Sequence, residues 1–233
     1  MKILKITCSS LLCGALLFGT VSCNMTNTGK GSLIGGAGGA TLGGAIGALA
    51  GGGKGAAIGV ALGTALGAGA GALIGNHMDK QQKQLEKELG DQAKVEKTTD
   101  QNGLQAIKVT FDGGILFPTG KYNLNEQAKA DLTRFASNLK QNPNTDVQIL
   151  GFTDNTGSFA VNDKLSNERA ESVLTYLVNS GVSPTRLTAK GIPMADYVAS
   201  NDTPAGRAQN RRVEIYITAD KNMIQQAENG TLK

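Results

Sequence analysis

Glycine stands at every fourth position from Gly31 to Gly75: 31, 35, 39, 43, 47, 51, 55, 59, 63, 67, 71 and 75. The residues between are mostly Ala, Leu, Ile, Val and Thr. Each glycine costs a water-exposed helix about 1 kcal/mol relative to Ala, so an isolated helix with this load would melt. Glycine helps where backbones must touch, because GxxxG rows let helices approach closely. On a 3.6-residue helix a four-residue repeat drifts about 40° per step, which winds the row around the helix and favours a right-handed crossing. Gly51-Gly52-Gly53-Lys54-Gly55 has the chemistry of a turn. It separates two uncharged arms, Leu33–Ala50 and Ala56–Gly75, of 18 and 20 residues. That is close to the roughly 20 residues needed to cross a bilayer core. Residues 31–76 are therefore predicted to form a glycine-zipper helical hairpin in a membrane or against a close-packed partner, a second copy of the chain included. A flexible linker would not carry Leu33, Ile34, Leu42, Ile46, Leu62 and Leu66. Gly67–Ala72 formally fits G-x-G-x-x-A, but no strand precedes it and no suitably spaced acid follows; Lys54 precedes Gly55, so there is no P-loop.

The residues ahead of the ladder read as an export signal. Met1–Lys5 is a short basic stretch, Ile6–Val21 is apolar, and the chain turns polar after Cys23. Residues 1–22 are the predicted signal peptide. Cys8 and Cys13 would leave with it, so Cys23 would remain without a disulfide partner. A cysteine directly after a small residue at the end of an apolar run resembles the bacterial lipobox, with Thr20 where that pattern prefers Leu. The resemblance implies diacylglycerol on the Cys23 thiol, an acylated amine, and a short lipidated linker over residues 23–30. Several acyl chains anchor stably, because each buried CH₂ contributes about 0.8 kcal/mol.

Charge divides the chain. No Asp or Glu occurs before Asp79, and Lys2, Lys5, Lys30 and Lys54 supply the whole net charge of +4. From Asn76 onward 19 basic residues meet 19 acidic ones, which argues against a nucleic-acid partner. Trp is absent and aromatics are 4%, too few for an extended base- or sugar-stacking platform. A single histidine, His77, and three cysteines rule out most His-based triads and multi-ligand zinc sites, and no cofactor is implied.

Residues 77–92 are very polar around Leu85 and Leu89, and read as a solvated helical spacer ended by Gly90. An α+β pattern follows over 93–220. Residues 93–99 and 105–111 alternate as a hairpin about Asp100–Gly103. Ile115–Phe117 reads as a short buried strand. Leu124, Ala128, Leu132, Phe135, Ala136 and Leu139 keep helical spacing up to Asn142-Pro143. Residues 147–152 form a buried strand. Ala170, Val173, Leu174, Leu177 and Val178 stripe a second helix closed by Gly181. Short strands at 187–189 and around Val213–Ile217 complete a two-layer βαβαβ sandwich, helices on one face of a mixed sheet. Residues 221–233 read as a tail.

Two charges in this domain are oddly placed. Asp154 directly follows a buried strand, and Arg169 lies at the border of an apolar helical stripe. A guanidinium at a core edge needs a carboxylate or strong acceptors. Together the two could take a zwitterion, ammonium to Asp154 and carboxylate to Arg169. They could equally form a structural salt bridge. A glycosidase could use Asp154 with Asp163, but neither has an obvious apolar pocket to raise its pKa.

The run Gly151-Phe152-Thr153-Asp154-Asn155-Thr156-Gly157, then Asn162, then Leu165-Ser166-x-x-Arg169-Ala170-x-x-Val173, resembles the C-terminal peptidoglycan-binding domain of the OmpA family. So do Gly181-Val182, Arg186-Leu187, Gly191 and Ser200-Asn201-Asp202-Thr203-x-x-Gly206-Arg207-Ala208-Gln209-Asn210-Arg211-Arg212-Val213. The similarity spans roughly residues 105–219. It implies a non-enzymatic domain, without catalytic residues, that binds the diaminopimelate side of the peptidoglycan stem peptide. Asp154 and Arg169 would grip the ligand, Asn162 would support ligand or loop, and Arg211 would line or brace the site. The loop after Phe117 would lend backbone groups through Thr119 and Gly120, with one N–H fewer because of Pro118. With the signal and the glycine ladder, the resemblance implies a lipoprotein held in the outer-membrane bilayer with this domain in the periplasm. The rival reading is a glycine-zipper oligomer or pore scaffold in which the domain serves as wall anchor.

Overall fold

The structure, a computed structural model, describes residues 68–118 and 120–232. The signal, Cys23, the linker and most of the glycine ladder lie outside the described residues, as does Thr119.

Five strands form one mixed sheet. They are β1 (Lys94–Thr99), β2 (Gln105–Asp112), β3 (Thr145–Phe152), β4 (Leu187–Ile192) and β5 (Arg212–Ala219), in the order β1-β2-β5-β3-β4. Strands β3 and β4 run parallel, and the other neighbours are antiparallel. The hairpin predicted about Asp100–Gly103 pairs Thr99 with Gln105. Asp100 closes it by accepting from the N–H groups of Asn102 and Leu104 at 2.8 Å each.

The helices cover one face of this sheet. Helix α3 (Glu126–Gln141) starts at Asn125, whose side chain accepts from the Ala128 N–H. Helix α4 (Phe159–Asn179) starts at Ser158, which accepts from Val161. Their apolar stripes, Leu132, Phe135 and Leu139 with Ala170, Val173 and Leu177, meet Val147, Ile149, Ile215 and Ile217 in the main core. Gly151 and Gly191 set how close α4 comes. A Cβ on Gly151 would stand 2.3 Å from the Ser166 carbonyl oxygen, and one on Gly191 2.6 Å from the Asn167 nitrogen.

Four elements depart from the sequence reading. Helix α1 (Ala68–Leu89) crosses the expected boundary between ladder and spacer. Ile74, Met78, Gln81, Leu85 and Leu89 form one buried stripe along it, facing the same core as α3. Leu85 and Leu89 looked isolated in the sequence because their partners Ile74 and Met78 lie upstream, at helical spacing. The segment is thus not a solvated spacer. Gln81 donates to buried Asn138 at 3.0 Å, and Asp79 pairs with Lys97 at 2.6 Å. Among the described residues no helix is long and apolar enough to cross a membrane.

Ile115–Phe117 is not a strand. Residues Gly113–Leu116 make one helical turn, α2. Asn125 captures this turn by donating through its side chain to the Ile115 carbonyl (2.8 Å), while the Gly113 N–H donates to Arg211 O (2.7 Å). Those nonlocal partners hold a conformation that three apolar residues in a row do not encode. A short helix α5 (Pro204–Asn210) also precedes β5, capped by Thr203 with Pro204 in its first turn. The tail instead forms helix α6 (Lys221–Glu228), capped by Asp220, with Met223, Ile224 and Ala227 buried against the core.

Around β3 and β5 the second sheet face is buried too, although β5 alternates apolar and polar residues. Leu150, Phe152, Ile192 and Tyr216 form a small cluster there. The Arg212 guanidinium lies 3.8 Å over the Phe152 ring and pairs with Glu214 at 2.7 Å. Tyr216 donates to Glu214 at 2.7 Å; burial, with the Glu214 charge beside it, pushes the phenol pKa far up. The polar half of the alternation is a closed, paired network rather than a wet surface.

Candidate functional site

The site gathers where β3 ends, where α4 begins, and where α2 meets the loop leading to α3. Asp154 lies just past β3 and is 6% exposed. One carboxylate oxygen accepts from Arg211 at 2.6 Å; the other accepts from the Thr156 N–H at 2.8 Å. Burial pushes this carboxyl up, but the Arg211 and Thr156 hydrogen bonds and the Arg211 charge outweigh it, so its pKa lies below the ordinary value.

Arg169 comes from the middle of α4 and is 3% exposed. Its Nε donates to the Lys121 carbonyl at 3.2 Å, and its guanidinium stands 5.3 Å from the Phe117 ring centroid. Its Nη1 is buried and has no hydrogen-bond partner. Burial pulls the pKa down and the Arg211 charge adds to that, while Asp154 opposes both. Arg169 remains a cation, as guanidinium groups in proteins do.

The sequence reading paired Asp154 with Arg169, and the structure adjusts that. The ion pair of Asp154 is with Arg211; Arg169 acts on Asp154 only through its field. The site therefore gathers two guanidinium groups and one carboxylate within electrostatic range of one another. Asn162 braces the loop, its amide donating to the carbonyls of Thr156 (2.8 Å) and Ser158 (3.1 Å). Gly120 lies in the adjoining loop with φ +67°, and the Lys121 N–H donates to Pro118 O at 3.0 Å. The loop after Phe117 lends a backbone group as expected, but through the Lys121 carbonyl, and the Phe117 ring was not foreseen. A backbone carbonyl leaves no trace in residue identity, and Phe117 was assigned to the core alone.

Asn210, Arg211 and Arg212 are engaged in structural pairing. Asn210 accepts from the Val198 and Ala199 N–H groups, Arg211 binds Asp154, and Arg212 binds Glu214. Among the described residues no group of three or more His, Cys, Asp or Glu could hold a metal ion.

The depressed pKa of Asp154 has a measurable consequence. A carboxylate held below its unfolded value of about 3.9 contributes stability above that pH and loses it as pH falls through its folded value. The gap in unfolding midpoint between the wild type and Asp154→Asn should stay constant from about pH 7 to pH 5 and shrink below about pH 4. Thermal melts of both proteins across that range check it.

The chain is 38% identical to "Probable lipoprotein YiaD" of Escherichia coli (strain K12), over 62% of this chain and 64% of that protein. It is 42% identical to "Peptidoglycan-binding protein ArfA" of Mycobacterium tuberculosis, over 48% of this chain and 34% of that one. The chain thus spans less than two thirds of the length of either relative. Among solved structures, the cell wall anchor of the T6SS from Pseudomonas aeruginosa superposes with a TM-score of 0.52 at 29% identity, covering 60% of this chain and 99% of that one. Residues 1–83 match the YMGG-like Gly-zipper family, a match that runs into α1 and so into the folded domain. Residues 116–211, which hold Asp154, Asn162, Arg169 and Arg211, match the OmpA family.

Proposed function

We propose that this chain is a non-enzymatic tether that binds peptidoglycan non-covalently and links it to the outer membrane. The observation that carries the reading is the buried Arg169 Nη1 without an acceptor, beside a carboxylate already held ionised. A buried cation nitrogen without a partner is unfavourable, and a ligand carboxylate is what it lacks. Asp154 keeps unused lone pairs on both oxygens for an ammonium group. The two groups suit the zwitterionic end of diaminopimelate, with the 117–121 loop shifting to admit it. Similarity to the peptidoglycan-binding protein ArfA and to the T6SS cell wall anchor supports the same reading.

Charge-assisted bonds net about 1.5–3 kcal/mol each, so one site binds modestly. Many copies on one membrane facing one polymer supply avidity. Acyl chains on Cys23 and the glycine zipper hold the membrane side, with the zipper also the contact for self-association. The folded domain faces the periplasm.

The test is sedimentation of the purified chain with insoluble sacculi. Diaminopimelate-type sacculi should retain it. Sacculi with lysine as the third stem residue, which lack the second carboxylate, should retain it at least tenfold less. Equal retention by both would overturn the assignment of Arg169 to that carboxylate.

A further inference from the structure

The outer surface between α3 and α4 holds an open groove of about 440 Å³ that the zwitterion site does not use. That is within the roughly 300–1,000 Å³ usual for small-ligand pockets. Its walls are Tyr122–Leu124 from the loop, Lys129 from α3, paired with Glu126, and Glu168, Glu171, Ser172, Thr175, Tyr176 and Asn179 from α4. Tyr122 is 42% exposed, one of few large apolar side chains left at the surface among the described residues. Asn123, Glu171, Thr175 and Asn179 have no side-chain hydrogen bond to any described residue, so two amides, a carboxylate and a hydroxyl remain available. A neutral, polyhydroxylated ring needs this combination: one apolar aromatic face, with donors and acceptors around it. Aromatic residues are too scarce for an extended platform, but one ring needs one.

The groove neighbours the proposed stem-peptide site along the chain, through both the loop and α4. Lys121, whose carbonyl holds Arg169, is followed directly by Tyr122. At 1.5 Å per residue, Ser172 to Asn179 lie about 5 to 15 Å along α4 from Arg169. In peptidoglycan, two amino acids and a lactyl group separate the third stem residue from its sugar, roughly 10 Å when extended. Resting on the reading of Asp154 and Arg169 as the stem-peptide site, we infer that this groove is a second subsite that takes the N-acetylhexosamine ring bearing the bound stem. The domain then reads sugar and peptide together, and prefers stems still attached to glycan.

The experiment is isothermal titration of the full chain in detergent with two soluble ligands, a disaccharide-tripeptide muropeptide and the same tripeptide without sugar. The wild type should bind the muropeptide at least fivefold more tightly. Tyr122→Ala and Asn179→Ala should lower the muropeptide affinity to that of the tripeptide and leave the tripeptide affinity unchanged. Equal wild-type affinities would overturn the sugar subsite and leave the stem-peptide site standing. So would variants that weaken both ligands alike. Failure of both ligands to bind would overturn the stem-peptide reading and the subsite with it.

Discussion

Arg169→Met should abolish retention on sacculi while leaving the fold intact. Truncating one member of a buried charge interaction across an interface costs about 3 kcal/mol in binding, or roughly 100-fold in affinity. The folded chain should hardly notice. Arg169 has one backbone acceptor and one unpartnered buried nitrogen, and Asp154 keeps Arg211 as its partner. Replacing a poorly satisfied buried charge with an apolar side chain of similar size is often neutral or stabilising. The result expected is an unfolding midpoint within a few degrees of wild type, with sacculus binding lost. A fall in both together would mean that Arg169 is chiefly structural. This comparison separates the two roles that residue identity alone left open.

Gly151→Ala should destabilise the domain severely. Any L side chain at this position places its Cβ 2.3 Å from the Ser166 carbonyl oxygen, and that atom belongs to the backbone of α4. No rotamer relieves the clash, so α4 must move off the sheet. Overpacking of this kind costs about 3 kcal/mol, near 6–12 °C in melting temperature for a chain of this size. Because α4 carries both Asn162 and Arg169, sacculus binding should weaken with it. A melt within 2 °C of wild type would show that the helix has slack the packing does not suggest.

Much of the fold was legible because it is written in local periods. The β1–β2 hairpin follows from alternation and the Asp100 turn; α3 and α4 follow from their apolar stripes. The short helix before β5 carried the Thr203-Pro204 start signal, and α6 had Asp220 as its cap with Met223, Ile224 and Ala227 on one face. Both are one or two turns long, where propensity alone is marginal. Of the site, Asp154 and Arg169 stood out as charged groups beside buried elements, while Asn162 and Arg211 were indicated only by the family resemblance. The sequence could not say which of them touch.

The sequence by itself determined the period-four glycine ladder, the balanced charge of the domain and the alternation of strand and helix. Each follows from residue spacing, so it needs only the short-range geometry of one element. Tertiary structure alone decided that α1 packs into the domain core, that Arg211 rather than Arg169 holds Asp154, and that Ile115 lies in a helical turn. In all three the deciding partner is far away in sequence: Asn138 for Gln81, Arg211 for Asp154, and Asn125 with Arg211 for residues 113–116. Their energies depend on burial and on distances of about 3 Å, which exist only once the sheet order has brought the ends of β2, β3 and β5 together.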